Sequence, residues 1–207
     1  MDQRERILSK ASELYFRYGI RSVTMDEIAG QCGISKKTIY QFFEDKDALV
    51  TAVMDTVINK TECECMVDQQ KSDNAIHEVF LALDMVQEMF STMNPTILFD
   101  VQKHHPKAFQ RLELHKSDFF FSVIKKNIER GKQEGIYRED INSEILAKLR
   151  LETAFLPFNQ DLFPRGRFHV AKLEQEITEH FVYGMATLKG QKFIQKYKQE
   201  RTKTQNT

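Results

Sequence analysis

The chain has no tryptophan, three cysteines, four prolines and eight glycines in 207 residues, and each shortage excludes something. Three cysteines do not make a disulfide framework in a chain of this length, so reduced thiols are expected. Scarce proline and glycine exclude long flexible linkers and favour a helical chain. No apolar run approaches the roughly 20 residues of a membrane span, and the polar start Met1-Asp2-Gln3-Arg4-Glu5-Arg6 is not a signal peptide. A cytoplasmic protein with no membrane contact is expected. An excess of one charge is also missing. Lys plus Arg equals Asp plus Glu at 30 each, and residues 1–49 carry eight basic and eight acidic side chains, so no bulk positive field advertises nucleic acid. There is no internal repeat, no strand alternation, and no HExxH, paired Cys-x-x-Cys, phosphate-binding glycine loop or nucleophile elbow. No catalytic residue, cofactor or metal is therefore expected.

What is present concentrates between Thr24 and Leu49, TMDEIAGQCGISKKTIYQFFEDKDAL. Thr24 with Glu27 three residues on has the form of a capping box, with Val23 and Ile28 as a hydrophobic staple. Gly33 stands where a left-handed C-terminal cap is needed, and Ser35 can cap a second helix from Lys36 to about Phe43. Ile39 and Phe43 share an inward face. Ser35, Lys36, Lys37, Thr38 and Tyr40 are left outward or near the N-terminus, as a helix entering a DNA major groove requires. The competing reading of this stretch alone is a helical hairpin with an exposed basic face. In front of it, Ile7, Ala11, Leu14, Tyr15 and Tyr18 form a stripe that would cover the pair and complete a three-helix domain. With balanced charge, DNA affinity must come from local placement, helix N-termini and dimerisation.

The helical period continues beyond this segment, so the fold class is all-α. Asp45-Lys46-Asp47 opens a connector helix carrying Leu49, Val50, Val53, Met54, Val57 and Ile58, followed by a polar patch at 69–74. A Met- and Phe-rich helix over about 75–93 should end at Asn94-Pro95, and a short helix to about His104 follows. The next runs from His105-Pro106 to Arg130, with Gly131 and Gly135 suggesting its end. Asn142 or Ser143 can cap another, which Pro157 ends or kinks. A loop over 161–167 precedes a helix with Val170, Leu173, Ile177, Phe181, Gly184 and Leu188 on one stripe, and residues 189–203 read as a frayed basic tail that adds little to packing. Cys63 and Cys65 lie about 200° apart on a helix, unsuited to joint chelation. Asp100, His104, His105, Glu113 and His115 read as a surface cluster beside a proline turn rather than as zinc ligands.

Taken together, the helix ending at Tyr18-Gly19, the segment from Ser22 to Ala29, the turn from Cys32 to Ser35, Thr38 to Phe43, and Lys46 to Leu49 resemble the tetracycline-repressor (TetR/AcrR) family of bacterial regulators. The resemblance covers roughly the first fifty residues. It implies a DNA-binding domain over 1–47, a helical effector-binding and dimerisation domain over 48–190, and a tail over 191–207. It implies a homodimeric regulator, usually a repressor, on a pseudo-palindromic double-stranded operator. By position, Thr24 and Lys46 would hold phosphates, and Lys36, Lys37, Thr38 and Tyr40 would touch DNA, with Ser35 among them. The last two long helices would form an intersubunit bundle, using Leu146, Leu149, Ile177, Phe181, Gly184 and Leu188. The family's regulatory pocket would be lined here by Met85, Met89, Phe90, Met93, Phe99, Phe119, Phe120, Val123, Phe155 and Phe158. Such a lining favours a hydrophobic or aromatic small molecule. The alternative is a helix-turn-helix protein without a small-molecule effector, either an activator or one controlled by a protein partner.

Overall fold

The computed structural model describes residues 2–94, 96–159, 161–164 and 166–205, without the side chains of Phe90, Thr92 and residues 203–205. Pro95, expected to end a helix, lies outside the described residues. In order the helices are α1 (Gln3–Tyr18), α2 (Met25–Cys32), α3 (Lys36–Tyr40), α4 (Lys46–Lys71), α5 (Ala75–Thr92), α6 (Ile97–His104) and α7 (Pro106–His115). After them come α8 (Phe121–Gln133), α9 (Ser143–Thr153), α10 (Val170–Met185) and α11 (Leu188–Gln205). A π-helical turn, Lys116–Phe120, joins α7 to α8, and a 3-10 turn, Leu156–Phe158, follows α9. Among the described residues the extended pairing is a single antiparallel bridge, Tyr137 to Ala186. The fold is all-α. The chain divides into two compact units, Met1–Glu62 with Met89–His115, and Cys63–Glu88 with Lys116–Thr207.

In the first unit α1 begins with a complete capping box, Glu5 N donating to Asp2 Oδ1 and Asp2 N to Glu5 Oε2. That motif was expected at Thr24 and Glu27, where among the described bonds only Glu27 N to Thr24 Oγ1 forms, at 3.1 Å. Ile7, Ala11, Leu14 and Tyr15 are buried as their spacing predicts, but Tyr18 is 48% exposed and leaves the stripe. It is the last residue of α1, where the chain turns away through Gly19 at φ 85°. Ile20, Val23, Ile28, Ile39, Phe43, Leu49, Val50 and Val53 complete the core together with Ile97 and Val101 of α6 and Ala108 of α7. The boundary expected at residue 47 is therefore not a break in compactness. Helix α4 runs on without interruption, and α6 and α7 share the core of α1 to α3.

In the second unit Tyr137 is fully buried with its ring against Gly131, where a Cβ would lie 2.0 Å from the ring. Gly131 is thus a packing glycine inside α8, which runs to Gln133. Asn142 caps α9, accepting from Glu144 N and Ile145 N at 3.0 Å each. The stripe expected to run unbroken to Leu188 is cut at Ala186, whose extended backbone pairs with Tyr137: Arg138 N donates to Met185 O and Thr187 N to Ile136 O. The tail expected beyond 189 is instead α11, and it is part of the core. Ile194 and Tyr197 are buried, Tyr197 accepts from Asn74 Nδ2 at 2.8 Å, and Lys198 and Arg201 pair with Glu179 and Asp84.

Candidate nucleic-acid interface

The turn between α2 and α3 follows from one backbone requirement. Gly33 adopts φ 63°, ψ 34°, its N–H reaches back to Ala29 and Gly30, and Ile34 N donates to Ala29 O at 3.0 Å. A Cβ there would touch nothing within 4 Å, so conformation rather than space asks for glycine. Ser35 then stops the turn by accepting from Thr38 N at 3.1 Å. Helix α3 is one residue over a turn long and ends at Tyr40, short of the expected Phe43. Phe43 N nevertheless donates to Ile39 O at 3.0 Å, which keeps both side chains buried on the inward face.

The outward residues differ from one another in what they can offer. Lys37 and Gln41 are exposed, and Tyr40 is 44% exposed. Ser35 and Thr38 hydroxyls bond each other at 2.9 Å, and Thr24 serves as the cap of α2. Lys36 Nζ is turned back onto Asp26 Oδ2 at 2.7 Å, and this hydrogen bond raises the lysine's pKa. Asp26 was not singled out from sequence. Its pairing spans the turn, and no periodic rule links positions ten apart.

Lys46 has partners within its own unit: its ammonium donates to Ile20 O and Val23 O, both at 2.6 Å. Burial lowers its pKa, opposed by Asp100 and Asp47. The side chain ties the segment before α2 to the start of α4, a task no local motif announces. Nearby, buried Asp100 accepts from Arg21 N at 3.4 Å, and His105 Nδ1 lies 2.6 Å from Asp47 Oδ1. His115 pairs with Glu62 at 3.2 Å. Asp100, His105 and His115, expected in one cluster, thus have separate partners. Among the described residues no group of three or more His, Cys, Asp and Glu side chains could hold a metal. Cys32 is buried, and Cys63 and Cys65 lie within α4 and form no disulfide.

The residues expected to line an effector pocket do not gather in one unit. Met89, Met93 and Phe99 belong to the first, whereas Met85, Phe119, Phe120, Val123, Phe155 and Phe158 belong to the second. Phe90 lies outside the described side chains. Phe99 is 55% exposed beneath the Lys103 ammonium, and Phe155 is 37% exposed. Met85, Phe119, Phe120, Val123 and Phe158 are half-buried. Of the expected dimer residues, Leu149 and Leu188 are 50% and 79% exposed and Gly184 is exposed, with Leu146, Ile177 and Phe181 half-buried. Ile145, 63% exposed beside Leu149 on α9, joins them, and no sequence pattern sets it apart.

No helix among the described residues is long and apolar enough to cross a membrane. Residues 7–53 match the model of bacterial regulatory proteins of the tetR family. The HTH-type transcriptional regulator YvaF of Bacillus subtilis is 29% identical over 182 residues, covering 87% of this chain and 94% of its own. A transcriptional regulator from Cytophaga hutchinsonii has a similar fold, with a TM-score of 0.75 at 18% identity over 88% of this chain and 98% of that one. So does FadR of Bacillus subtilis, a transcriptional regulator whose structure was determined in complex with stearoyl-CoA, with a TM-score of 0.65 at 14% identity over 87% and 98%. The glycine-turned, doubly capped helix pair thus lies in a DNA-binding segment of the tetR family of bacterial regulatory proteins, residues 7–53, within a chain that is similar to HTH-type transcriptional regulators along nearly its whole length.

Proposed function

We propose that the chain acts as a cytoplasmic homodimeric repressor that holds a pseudo-palindromic operator and releases it when a hydrophobic or aromatic small molecule binds the helical C-terminal region. The observation that carries this reading is α3, pinned by buried Ile39 and Phe43 with Lys37 and Tyr40 turned outward. In the major groove Lys37 takes a base edge or phosphate and Tyr40 a phosphate oxygen. Thr24, Ser35, Lys36 and Thr38 adjoin the same backbone, and Lys46 acts there through the position of α4 and its N-terminal N–H.

Support for the dimer is the apolar surface of Ile145, Leu149 and Leu188, and Gly184, where a Cβ would meet nothing within 4 Å of its own chain. Solvent-facing apolar residues on α9 and at the start of α11, with an exposed glycine on α10, suit an intersubunit helical bundle about a twofold axis. The recognition helices then fall about one turn of DNA apart, roughly 34 to 36 Å or more. An effector that favours one orientation of α4 alters that separation and releases the operator by population shift. The stearoyl-CoA bound by FadR agrees with a largely apolar effector.

The test is a genome-wide recovery of bound sequences followed by mobility shift of the purified protein at fixed salt. Lys37→Ala and Tyr40→Ala should each weaken operator binding about tenfold, on the order of 1.4 kcal/mol. Absence of sequence preference over competitor DNA defeats the reading. An operator held equally with and without hydrophobic compounds transfers it to a partner-controlled regulator.

A further inference from the structure

The second unit buries an ion pair whose hydrogen-bonding capacity is only partly used. Arg150 on α9 donates from Nη2 to Glu174 Oε1 at 2.5 Å and to Thr178 Oγ1 at 2.8 Å, and Thr178 donates to the same carboxylate oxygen at 3.1 Å. Glu174 is 2% exposed and the Arg150 side chain 14%. Every bond of the cluster converges on one oxygen and one nitrogen. Glu174 Oε2 and Arg150 Nη1 are both buried and both without a hydrogen-bond partner. Burying two charges is unfavourable even when they are paired, and leaving a donor and an acceptor empty adds to it. The same unit shows what a structural arginine looks like. Arg130 bonds Glu134, Glu78 and both the hydroxyl and carbonyl of Ser72 through Nε, Nη1 and Nη2.

The surroundings fit a site. Arg150 leads into Phe155 and Phe158, and the 3-10 turn that holds Phe158 packs on α10. Lys116 reaches from the π-turn to Glu152 and lies 5.0 Å over the Phe155 ring, and Phe119 and Phe120 of that turn meet edge to face. Single π-helical turns recur at functional sites. On the remaining side Gln87 of α5 donates to Ala171 O at the start of α10.

We propose that Arg150, Glu174 and Thr178 form the polar anchor of the effector site, and that they take an uncharged, mainly apolar molecule whose head both accepts and donates, a hydroxyl or a primary amide. The proposal rests on the effector reading above. Its selectivity follows from charge. Arginine and glutamate already neutralise each other, so an anion is repelled by Glu174 and a cation by Arg150. A neutral head that accepts from Nη1 and donates to Oε2 completes both groups at once.

The test uses the full-length protein and four probes of equal chain length: octan-1-ol, octanamide, octanoate and octylammonium. Titration calorimetry should show the two neutral probes binding at least tenfold more tightly than the charged ones. Arg150→Met combined with Glu174→Leu should keep an apolar site, which still disfavours a charged head, and should weaken octan-1-ol and octanamide at least tenfold by removing both partners of the neutral head. Should that double variant fail to fold, Glu174→Gln provides an independent readout, because it leaves the arginine uncompensated and should move the preference to octanoate. Equal binding of all four probes to the native protein overturns the anchor while leaving an apolar effector site standing. Neutral probes held by the double variant as tightly as by the native protein, or a neutral preference that survives Glu174→Gln, overturn it as well. If none of the four binds and none alters operator affinity, the anchor and the effector reading fall together.

Discussion

Asp26 and Lys36, the second residue of α2 and the first of α3, face each other across the turn with Oδ2 and Nζ 2.7 Å apart. Both are exposed, so the pair adds little to stability, yet in the proposed mode of binding it sits beside the phosphate backbone. Asp26→Asn removes an acid from that surface and frees the lysine for a phosphate. Operator and non-specific affinity should both rise several-fold, and the slope of log K against log salt should steepen by about 1.8 for a dimer, roughly 0.9 for each subunit's lysine. Fluorescence anisotropy at several salt concentrations measures it, and an unchanged slope shows that Lys36 stays away from DNA even when released.

Gly131 carries the buried Tyr137 ring at a distance that leaves no room for a methyl group. Tyr137 OH in turn donates to Asn127 Oδ1 at 3.3 Å, and Asn127 Nδ2 donates to Ala75 O at 2.9 Å. Gly131→Ala therefore displaces a ring that holds α5 and α8 together. The expected loss is about 1 to 3 kcal/mol, seen as a fall of several degrees in melting temperature. Gly30→Ala is the contrasting case, since its Cβ would meet nothing within 4 Å. In a helix interior that change should stabilise by roughly 0.5 to 1 kcal/mol. Equal effects of the two would mean that propensity, not the Tyr137 contact, decides both.

What the sequence made legible was local. Thr24, Gly33, Ser35 and Asn142 act on backbone groups within four residues of themselves, and each does in the structure what its type and place imply, apart from the missing return bond of Glu27. What it hid was long-range. Lys46 meets carbonyls 23 and 26 positions away, and Gly131 looked like a helix stop because nothing in its own neighbourhood revealed the Tyr137 ring. Helix α11 was read as a frayed tail since Phe193, Ile194 and Tyr197 are a short apolar stripe among lysines and glutamines, too brief for periodicity to register. The Arg150–Glu174 pair, 24 residues apart on different helices, had no signature at all. Chemistry held by one turn of chain could be read, and chemistry held by packing could not.

His115 supplies a dependence on pH. Its pKa is lowered from the ordinary 6.5, chiefly by burial, with Glu62 pulling the other way. The neutral ring is the form the fold favours, so this contribution is complete above pH 6.5. As pH falls below 6.5 the unfolded chain takes up the proton first, and stability is lost until the pKa of the folded state is passed. Urea midpoints taken between pH 7.5 and pH 5 should decline accordingly. His115→Gln should flatten that decline, and an identical slope in the variant would assign it to other groups.

Lys46 offers the sharpest distinction between touching DNA and shaping what touches it. If its ammonium holds a phosphate, Lys46→Ala must reduce the salt slope of the dimer by about 1.8, roughly 0.9 for each subunit, and leave the free protein's stability nearly unchanged. If it instead satisfies the carbonyls of Ile20 and Val23, both fully buried residues, the substitution leaves two acceptors without donors. Unsatisfied buried acceptors cost about 1 to 3 kcal/mol each, less where water reaches them. The geometry therefore predicts a clearly lower melting temperature, weaker operator binding and a salt slope equal to that of the native protein. Lys46→Met separates packing from hydrogen bonding. It keeps much of the side chain's length over the Tyr15 ring, where Nζ lies 5.9 Å from the centroid, but donates nothing. A methionine variant as unstable as the alanine variant assigns the effect to the two lost bonds. Recovery of native stability and DNA affinity by methionine would assign it to packing and remove the hydrogen bonds from the account of how α2 and α3 are positioned.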